Sequence, residues 1–521
     1  MDHPIATPPA KSIPHYAWRV LWCTAVCAMA TALVSPAHAA SHSAHMPPFA
    51  SAIQARAAEH GSAAMRLRSF LGVFAFVGIT FLIGRMRRTR VRDREPMDPS
   101  KMVEESLATN VPVFWRTIVG GIGLQFLFAW LVLDTLPGRW FFEFVSAGVN
   151  DLLDYASQGA RFLFGNLVQN NVPVGAPLGA PTMGPIVAPT AYANTGAYFA
   201  FTVLPTIVFF SALSTLAFYF GVTQRIVQAV AAAMRWTMRT SGMETVAVAA
   251  NIFVGQTEAP LMVKPYLATA TKSELMAIMV AGFANIASGV LAAYTGMLRP
   301  YFPDVAGHLL AASIISAPGS LAIAKLLLPE GEESKTGGTV KLQIERTDVN
   351  AIDSTARGAL EGMQLALNVG AVLIVFIAMI ALINAIIGWG GARVGIHNLS
   401  LESILGRIAT PLAWLTGMPW HDALRVGPLL GIKTALNEFV AYLQLSQMLG
   451  SSPGFISPRS VIITVYALCG FANFSSVAIQ IGGIGGMAPD RRHDLSRIAL
   501  TAMWGGAISS LISACVVGVL L

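Results

Sequence analysis

Charged side chains are scarce in this sequence: Asp, Glu, Lys and Arg make up 12% of its 521 residues, against about 25% in a soluble globular chain. Hydrophobic residues reach 54% and the mean hydropathy is +0.60. This excludes an ordinary soluble domain, and several apolar stretches approach the roughly 20 residues that a bilayer-spanning helix needs. Cysteine is scarce as well. Cys23, Cys27, Cys469 and Cys515 sit in apolar segments without a ligand spacing, so neither a disulfide framework nor a zinc site is indicated. No nucleophile and base pair and no metal-ligand cluster lies at membrane depth, which sets an intramembrane enzyme aside.

The charge that is present is mostly positional. A net charge of +7 would raise nucleic acid as a partner in a soluble protein. Here Arg85, Arg87, Arg88, Arg90, Arg92 and Arg94 follow directly on the apolar run 70–84, the pattern of a cytoplasmic flank, so the lipid bilayer is the expected partner and nucleic acid is not. At the N-terminus, Lys11 and Arg19 precede an apolar run, and Pro36-Ala37-His38-Ala39-Ala40 offers a small-residue cleavage site. Residues 1–40 thus read as a signal peptide, with an uncleaved extra helix as the alternative. Residues 41–68 read as a polar, mobile segment.

Taking the Arg-rich stretch as cytoplasmic gives an all-α polytopic membrane protein with about eight transmembrane helices, two re-entrant hairpins in an inverted repeat, and an outer interfacial amphipathic helix. Helix 1 (69–85) runs inward with Arg66 and Arg68 snorkelling, and helix 2 (112–134) returns outward. Residues 139–165 place Phe141, Val145, Val149, Leu152 and Ala156 on one face and lie at the interface. A Pro/Gly/Ala-rich loop (172–195) leads to helix 3 (197–222) and a basic amphipathic segment (223–241).

Residues 242–267 are apolar but interrupted by Gly255-Gln256-Thr257-Glu258-Ala259-Pro260. Non-helical backbone at membrane depth is tolerated only inside protein or beside a hydrated cavity, so this reads as a first hairpin. Helices 4 (272–297) and 5 (308–328) follow, then a solvated cytoplasmic linker (330–353) and helix 6 (361–389). The segment 405–450, with Asn437-Glu438 amid apolar residues, reads as a second hairpin. Helices 7 (458–483) and 8 (496–520) complete the chain. Both the mature N-terminus and the C-terminus fall outside the cytoplasm. Lys264 and Lys433 lie near hairpin ends, as interfacial anchors would. The expected domains are scaffold helices 1–3 (69–222), a first transport repeat (223–328), the linker (329–357), scaffold helix 6 (358–392) and a second transport repeat (393–521).

Two heptads resemble each other: Gly282-Phe283-Ala284-Asn285-Ile286-Ala287-Ser288 and Gly470-Phe471-Ala472-Asn473-Phe474-Ser475-Ser476. Each follows a hairpin carrying an intramembrane glutamate, in helices of opposite direction. Inverted repeats of this kind build secondary transporters with a site near the midplane. An unpaired Glu there costs roughly 3 kcal/mol or more, so Glu258 and Glu438 must face polar partners or a hydrated cavity. Gln256, Thr257, Asn473 and Ser476 are candidate partners, and this set of carboxylates, amides and hydroxyls suits a neutral polyhydroxylated ligand such as a nucleoside.

The stretch Asn251-Ile252-Phe253-Val254-Gly255-Gln256-Thr257-Glu258-Ala259-Pro260-Leu261, with Asn437-Glu438-Phe439-Val440-Ala441-Tyr442 and 470–483, resembles the concentrative nucleoside transporter family from helix 1 to the C-terminus. The resemblance implies a homotrimer in a bacterial inner membrane that imports nucleosides by symport with a cation; a nucleoside-binding channel or receptor-like membrane protein without coupled transport is the alternative. The resemblance implies no cofactor beyond the coupling ion. Gln256, Thr257 and Glu258 would address the nucleobase. Glu438, Asn473 and Ser476 would hold the ribose hydroxyls, and Val290 and Phe471 would flank the ligand. The cation site would comprise the side chain of Asn251, the carbonyls of Val254 and Ile286, and position 285. Family members coupled to sodium carry a small hydroxyl residue there, whereas this chain has Asn285. Sodium is favoured on these ligands, and a proton carried by Glu258 or Glu438 is the alternative.

Overall fold

The computed structural model describes residues 62–92, 115–168, 171–174, 191–194, 199–336, 348–395, 399–451 and 454–521. The expected signal peptide and most of the segment that follows it lie outside these residues. So do the tip of the loop at 175–190 and the middle of the linker at 337–347.

The helices are α1 (Ala63–Arg92), α2 (Trp115–Leu133), α3 (Leu136–Phe164), α4 (Leu204–Tyr219), α5 (Val222–Met238) and α6 (Gly242–Ala250). They continue with α7 (Lys264–Leu267), α8 (Lys272–Ala284), α9 (Ser288–Leu298), α10 (Val305–Leu327), α11 (Ala351–Arg393) and α12 (Leu401–Leu415). The last are α13 (Trp420–Ala435), α14 (Glu438–Ser451), α15 (Pro458–Leu468), α16 (Phe474–Met487) and α17 (Arg492–Leu520). Among the described residues, seven helical stretches are long and apolar enough to cross a membrane. The eighth expected span, helix 7, is instead split into the short helices α15 and α16. Two short strands, Asn171–Val174 and Ala191–Asn194, pair antiparallel at the ends of the Pro/Gly/Ala-rich loop.

The chain sorts into inner and outer helices. In α8–α9 and in α10, 89% of the apolar window is buried, against 11% in α11. The outer helix α11 packs on α4, where Gly358 and Gly362 let the backbones close: a β-carbon at Gly362 would stand 2.7 Å from the Ser211 β-carbon. Small residues four apart are the usual means of close helix approach in membranes, where lipid is as apolar as leucine. Helices α1 and α2 pack on α10 and α17.

The structure adds detail to four of the sequence expectations. Residues 63–68 are helical, and Arg66 and Arg68 donate to the carbonyls of Leu520 (3.0 Å) and Met418 (2.5 Å), while the Arg68 guanidinium lies 4.6 Å from the Trp414 ring centroid. In α3, Val145, Val149, Leu152 and Ala156 of the expected apolar face are half-buried or buried and Phe141 is exposed, while Gly138, Ser146, Leu153 and Ala160 are buried beside them. Within 405–450, α12 pairs with α13, and the interruption falls between α13 and α14, at Asn437 where it was expected. The start of the linker is partly anchored: Glu332, Glu333 and Lys335 are exposed as expected, but Glu330 and Ser334 are half-buried and Thr336 is buried. Lys325 pairs with buried Glu244 at 2.7 Å and with Glu330 at 3.2 Å, while Ser334 and Thr336 donate to buried Glu274 at 2.6 and 3.0 Å. Glu244 and Glu274 close the capping boxes of α6 and α8, so this cluster ties the linker to two helix N-termini.

Candidate substrate and ion site

Four helix interruptions each carry an asparagine. Asn251 caps the C-terminus of α6 and Asn285 that of α8. Asn437 accepts from the Val440 amide at the start of α14, and Asn473 accepts from the Ser476 amide at the start of α16 (2.9 and 2.8 Å). At 251, 437 and 473 the short amide bonds the local backbone where a helix stops or starts.

The interruptions meet. A β-carbon at Gly255, in the turn after α6, would stand 3.4 Å from that of Ala287, between α8 and α9. The Glu258 carboxylate folds over Gly255, and Glu258 is otherwise exposed. Gln480 of α16 donates to Gln256 Oε1 at 3.0 Å, and the Thr257 methyl abuts Gly483. Gly470, at φ +112°, lies against the carbonyls of Phe283 and Ala284, which would stand 2.6 and 2.7 Å from a β-carbon there. The break after α15 therefore rests on the end of α8.

Glu438 is held from two sides at this junction. It is buried; Tyr294 of α9 donates to Oε1 at 2.9 Å and Asn473 Nδ2 donates to Oε2 at 2.7 Å. Asn473 Oδ1 accepts from Ser475 Oγ as well as from the Ser476 amide, so its nitrogen has to face the carboxylate. Tyr294 is held by a 4.3 Å stack on Tyr442, whose hydroxyl donates to Val465 O. Val290 and Ser476 are buried, and Phe471 is half-buried against the same core.

The ion-site residues are less converged. Asn251 Nδ2 turns onto its own helix at Ala247 O (3.4 Å), and Asn285 Oδ1 accepts from Ser316 of α10. Ile286 is buried and Val254 half-buried. The donor chemistry fits a cation: both asparagines close helix C-termini, where carbonyl dipoles concentrate negative potential.

Two members of this junction are absent from the sequence reading, and a third has a different role there. Tyr294 follows Val290 and Gln480 follows Ser476 by four residues, one helical turn on the same face, which was a usable signal. Lys433 is the third. Far from being an interfacial anchor, it is buried, and its ammonium donates to the carbonyls of Ala467 (2.9 Å) and Cys469 (3.2 Å) at the end of α15. An ionisable side chain in an apolar run should have been read as part of a site.

Comparison with known proteins agrees along the chain. Residues 111–167 match the N-terminal region of Na+-dependent nucleoside transporters, 308–518 match their C-terminal region, and 200–301 match a nucleoside recognition domain termed the gate. Sodium/nucleoside cotransporter 1 of Mus musculus is 40% identical over 420 residues, which are 78% of this chain and 60% of that protein. The chain thus spans about three fifths of the length of the mammalian relatives it matches first. The uncharacterized transporter YutK of Bacillus subtilis is 39% identical over 404 residues, 77% of this chain and 92% of its own. Among solved structures, CNTnw in an inward-facing substrate-bound state is similar with a TM-score of 0.72 at 36% identity, covering 87% of this chain and 97% of that one. A CNTnw variant in an outward-facing state gives a TM-score of 0.73. The chain belongs to the Na+-dependent, or concentrative, nucleoside transporter family.

Proposed function

We propose that this protein is a secondary active transporter that imports nucleosides by symport with sodium. The observation that carries the reading is the buried Glu438 carboxylate, held by donors from two further helices at the junction of the interruptions. A carboxylate offers about four lone-pair sites, and two remain for the vicinal hydroxyls of a ribose. Asn473 and Ser476 complete the ribose side, Val290 and Phe471 flank the ligand, and Gln256, Thr257 and Glu258 face the nucleobase. Asn251, Asn285 and the carbonyls of Val254 and Ile286 hold the ion. Asn285 supplies an amide oxygen of the hard type sodium prefers.

The interrupted segments act as two re-entrant hairpins of an inverted repeat, 223–328 and 393–521, which moves against a scaffold of residues 69–222 and 358–392 in a homotrimer. The site is reached from either side in turn, in a bacterial inner membrane, after removal of residues 1–40. Reconstitution of the full chain into liposomes tests the reading. Labelled uridine should accumulate against its gradient when sodium is high outside, and not when choline replaces it. Accumulation driven by a pH gradient with sodium absent on both sides would assign the coupling to a proton instead.

A further inference from the structure

Gln480 dictates which end of Gln256 a ligand meets. The nitrogen and oxygen of a side-chain amide are nearly isosteric, so its direction follows from its partners. Gln480 Nε2 lies 3.3 Å from the Met279 carbonyl oxygen and 3.0 Å from Gln256 Oε1. A backbone carbonyl only accepts, so the atom of Gln480 that faces Met279 has to be the nitrogen. That nitrogen in turn requires an acceptor from Gln256, which settles the oxygen of Gln256 inward. What Gln256 retains for a ligand is its Nε2 amide, a pure donor.

The rest of the geometry holds this relay in one direction. Gln480 is fully buried, and its Oε1 is a buried acceptor without a hydrogen-bond partner among the described residues. Reversing the amide would set that oxygen against the Met279 oxygen and is disfavoured. Nor can the side chain turn elsewhere: it fills the space left by the missing side chain of Gly282, where a β-carbon would stand 2.6 Å from Nε2 and 3.1 Å from the Gln256 β-carbon. The turn after α6, helix α8 and helix α16 thus converge on one amide.

We propose that Gln480 is a positioning residue that fixes Gln256 as a donor and so selects nucleobases presenting an oxo group over those presenting an amino group, uridine before cytidine and inosine before adenosine. The proposal rests on the reading of Gln256 as the base-facing residue. A donor meeting an oxo oxygen forms a bond, whereas two donors meeting leave both unpaired, a difference of about tenfold in affinity.

Competition among the four nucleosides for sodium-driven uptake, by the full chain in liposomes, tests it. The wild type should favour the oxo member of each pair by about tenfold. Gln480→Glu offers only acceptors, so Gln256 should turn its nitrogen inward and the oxo/amino ratio should fall by about tenfold or invert. Gln256→Glu keeps an oxygen on Gln480 and presents a second oxygen to the base, and should shift the ratio the same way. Discrimination against 2′,3′-dideoxyribose should be unchanged in both. If Gln480→Glu does not reach the membrane, Gln480→Met removes the relay without adding charge and should bring the ratio toward one. A purely structural Gln480 would lower all four nucleosides equally. An unchanged ratio in the Gln480 variants beside a shifted one in Gln256→Glu overturns the proposal alone. An unchanged ratio in Gln256→Glu, or a wild type that prefers the amino nucleosides, overturns the base-facing reading with it.

Discussion

Glu438 is held in one orientation, since one oxygen accepts from Tyr294 and the other from Asn473. Replacement by glutamine is therefore worse than loss of charge. Both partners donate, and an amide has one acceptor oxygen, so one donor would face an NH2 group in a buried site. Hydrogen bonds to charged groups contribute about 1.5–3 kcal/mol each, so Glu438→Gln should weaken uridine binding by roughly 10- to 100-fold while the protein stays folded, as titration calorimetry in detergent would read. Unchanged affinity would remove Glu438 from the site. Tyr294→Phe deletes one donor and keeps the carboxylate with Asn473. It should cost tenfold or less, about 1 kcal/mol, and a loss as large as that of Glu438→Gln would mean that Tyr294 contacts the ligand itself.

Nearly the same heptad builds two different element ends. In the first copy Gly282, Phe283 and Ala284 are helical and Asn285 closes α8; in the second, Gly470 is already outside α15 at φ +112° and Asn473 opens α16. The difference comes from neighbours remote in sequence. Lys433 and Ser510 both donate to the Cys469 carbonyl, satisfying the end of α15 early, and the carbonyls of Phe283 and Ala284 leave no room for a β-carbon at Gly470. Gly470→Ala should accordingly abolish most uptake and lower the melting temperature in detergent, because it adds a clash to a backbone conformation that alanine rarely adopts. Gly482→Ala, with open space around it, should do neither. Lys433→Met should lower the melting temperature too, as buried acceptors left unpaired cost about 1–3 kcal/mol each. These long-range contacts explain what the sequence could and could not disclose. The interruptions at 251–258 and 437–438 were legible because Gln, Glu, Asn and Pro cannot lie mid-span unsupported. The split of helix 7 and the role of Lys433 depend on partners tens to hundreds of residues away, which no local period reports.

For the whole molecule the question is how ion and substrate are coupled when their residues touch different partners. Asn251 and Gln256 share the turn after α6, and Asn285 ends the helix whose Met279 carbonyl orients Gln480. A sodium ion bridging Asn251 and Asn285 would draw that turn onto the end of α8, the same closure that brings Gln256 to Gln480. If the repeats move against the scaffold as proposed, the Arg299–Asp154 pair (2.7 Å), which joins the end of α9 to α3, has to follow or break. Linkage then makes the effect reciprocal: sodium should tighten uridine by the same factor as uridine tightens sodium, with coupling of about 1–3 kcal/mol, roughly 5- to 150-fold. Calorimetric titration of uridine at several sodium concentrations, with choline holding ionic strength and the pH fixed, measures one side of this cycle, and titration of sodium with and without uridine measures the other. Ser316→Ala frees Asn285 Oδ1 from its donor in α10 and should change the sodium affinity while leaving uridine affinity at saturating sodium as it was. Uridine affinity that is indifferent to sodium and follows pH would overturn the sodium assignment, and the amide of Asn285 in place of a small hydroxyl would be the first residue to exchange.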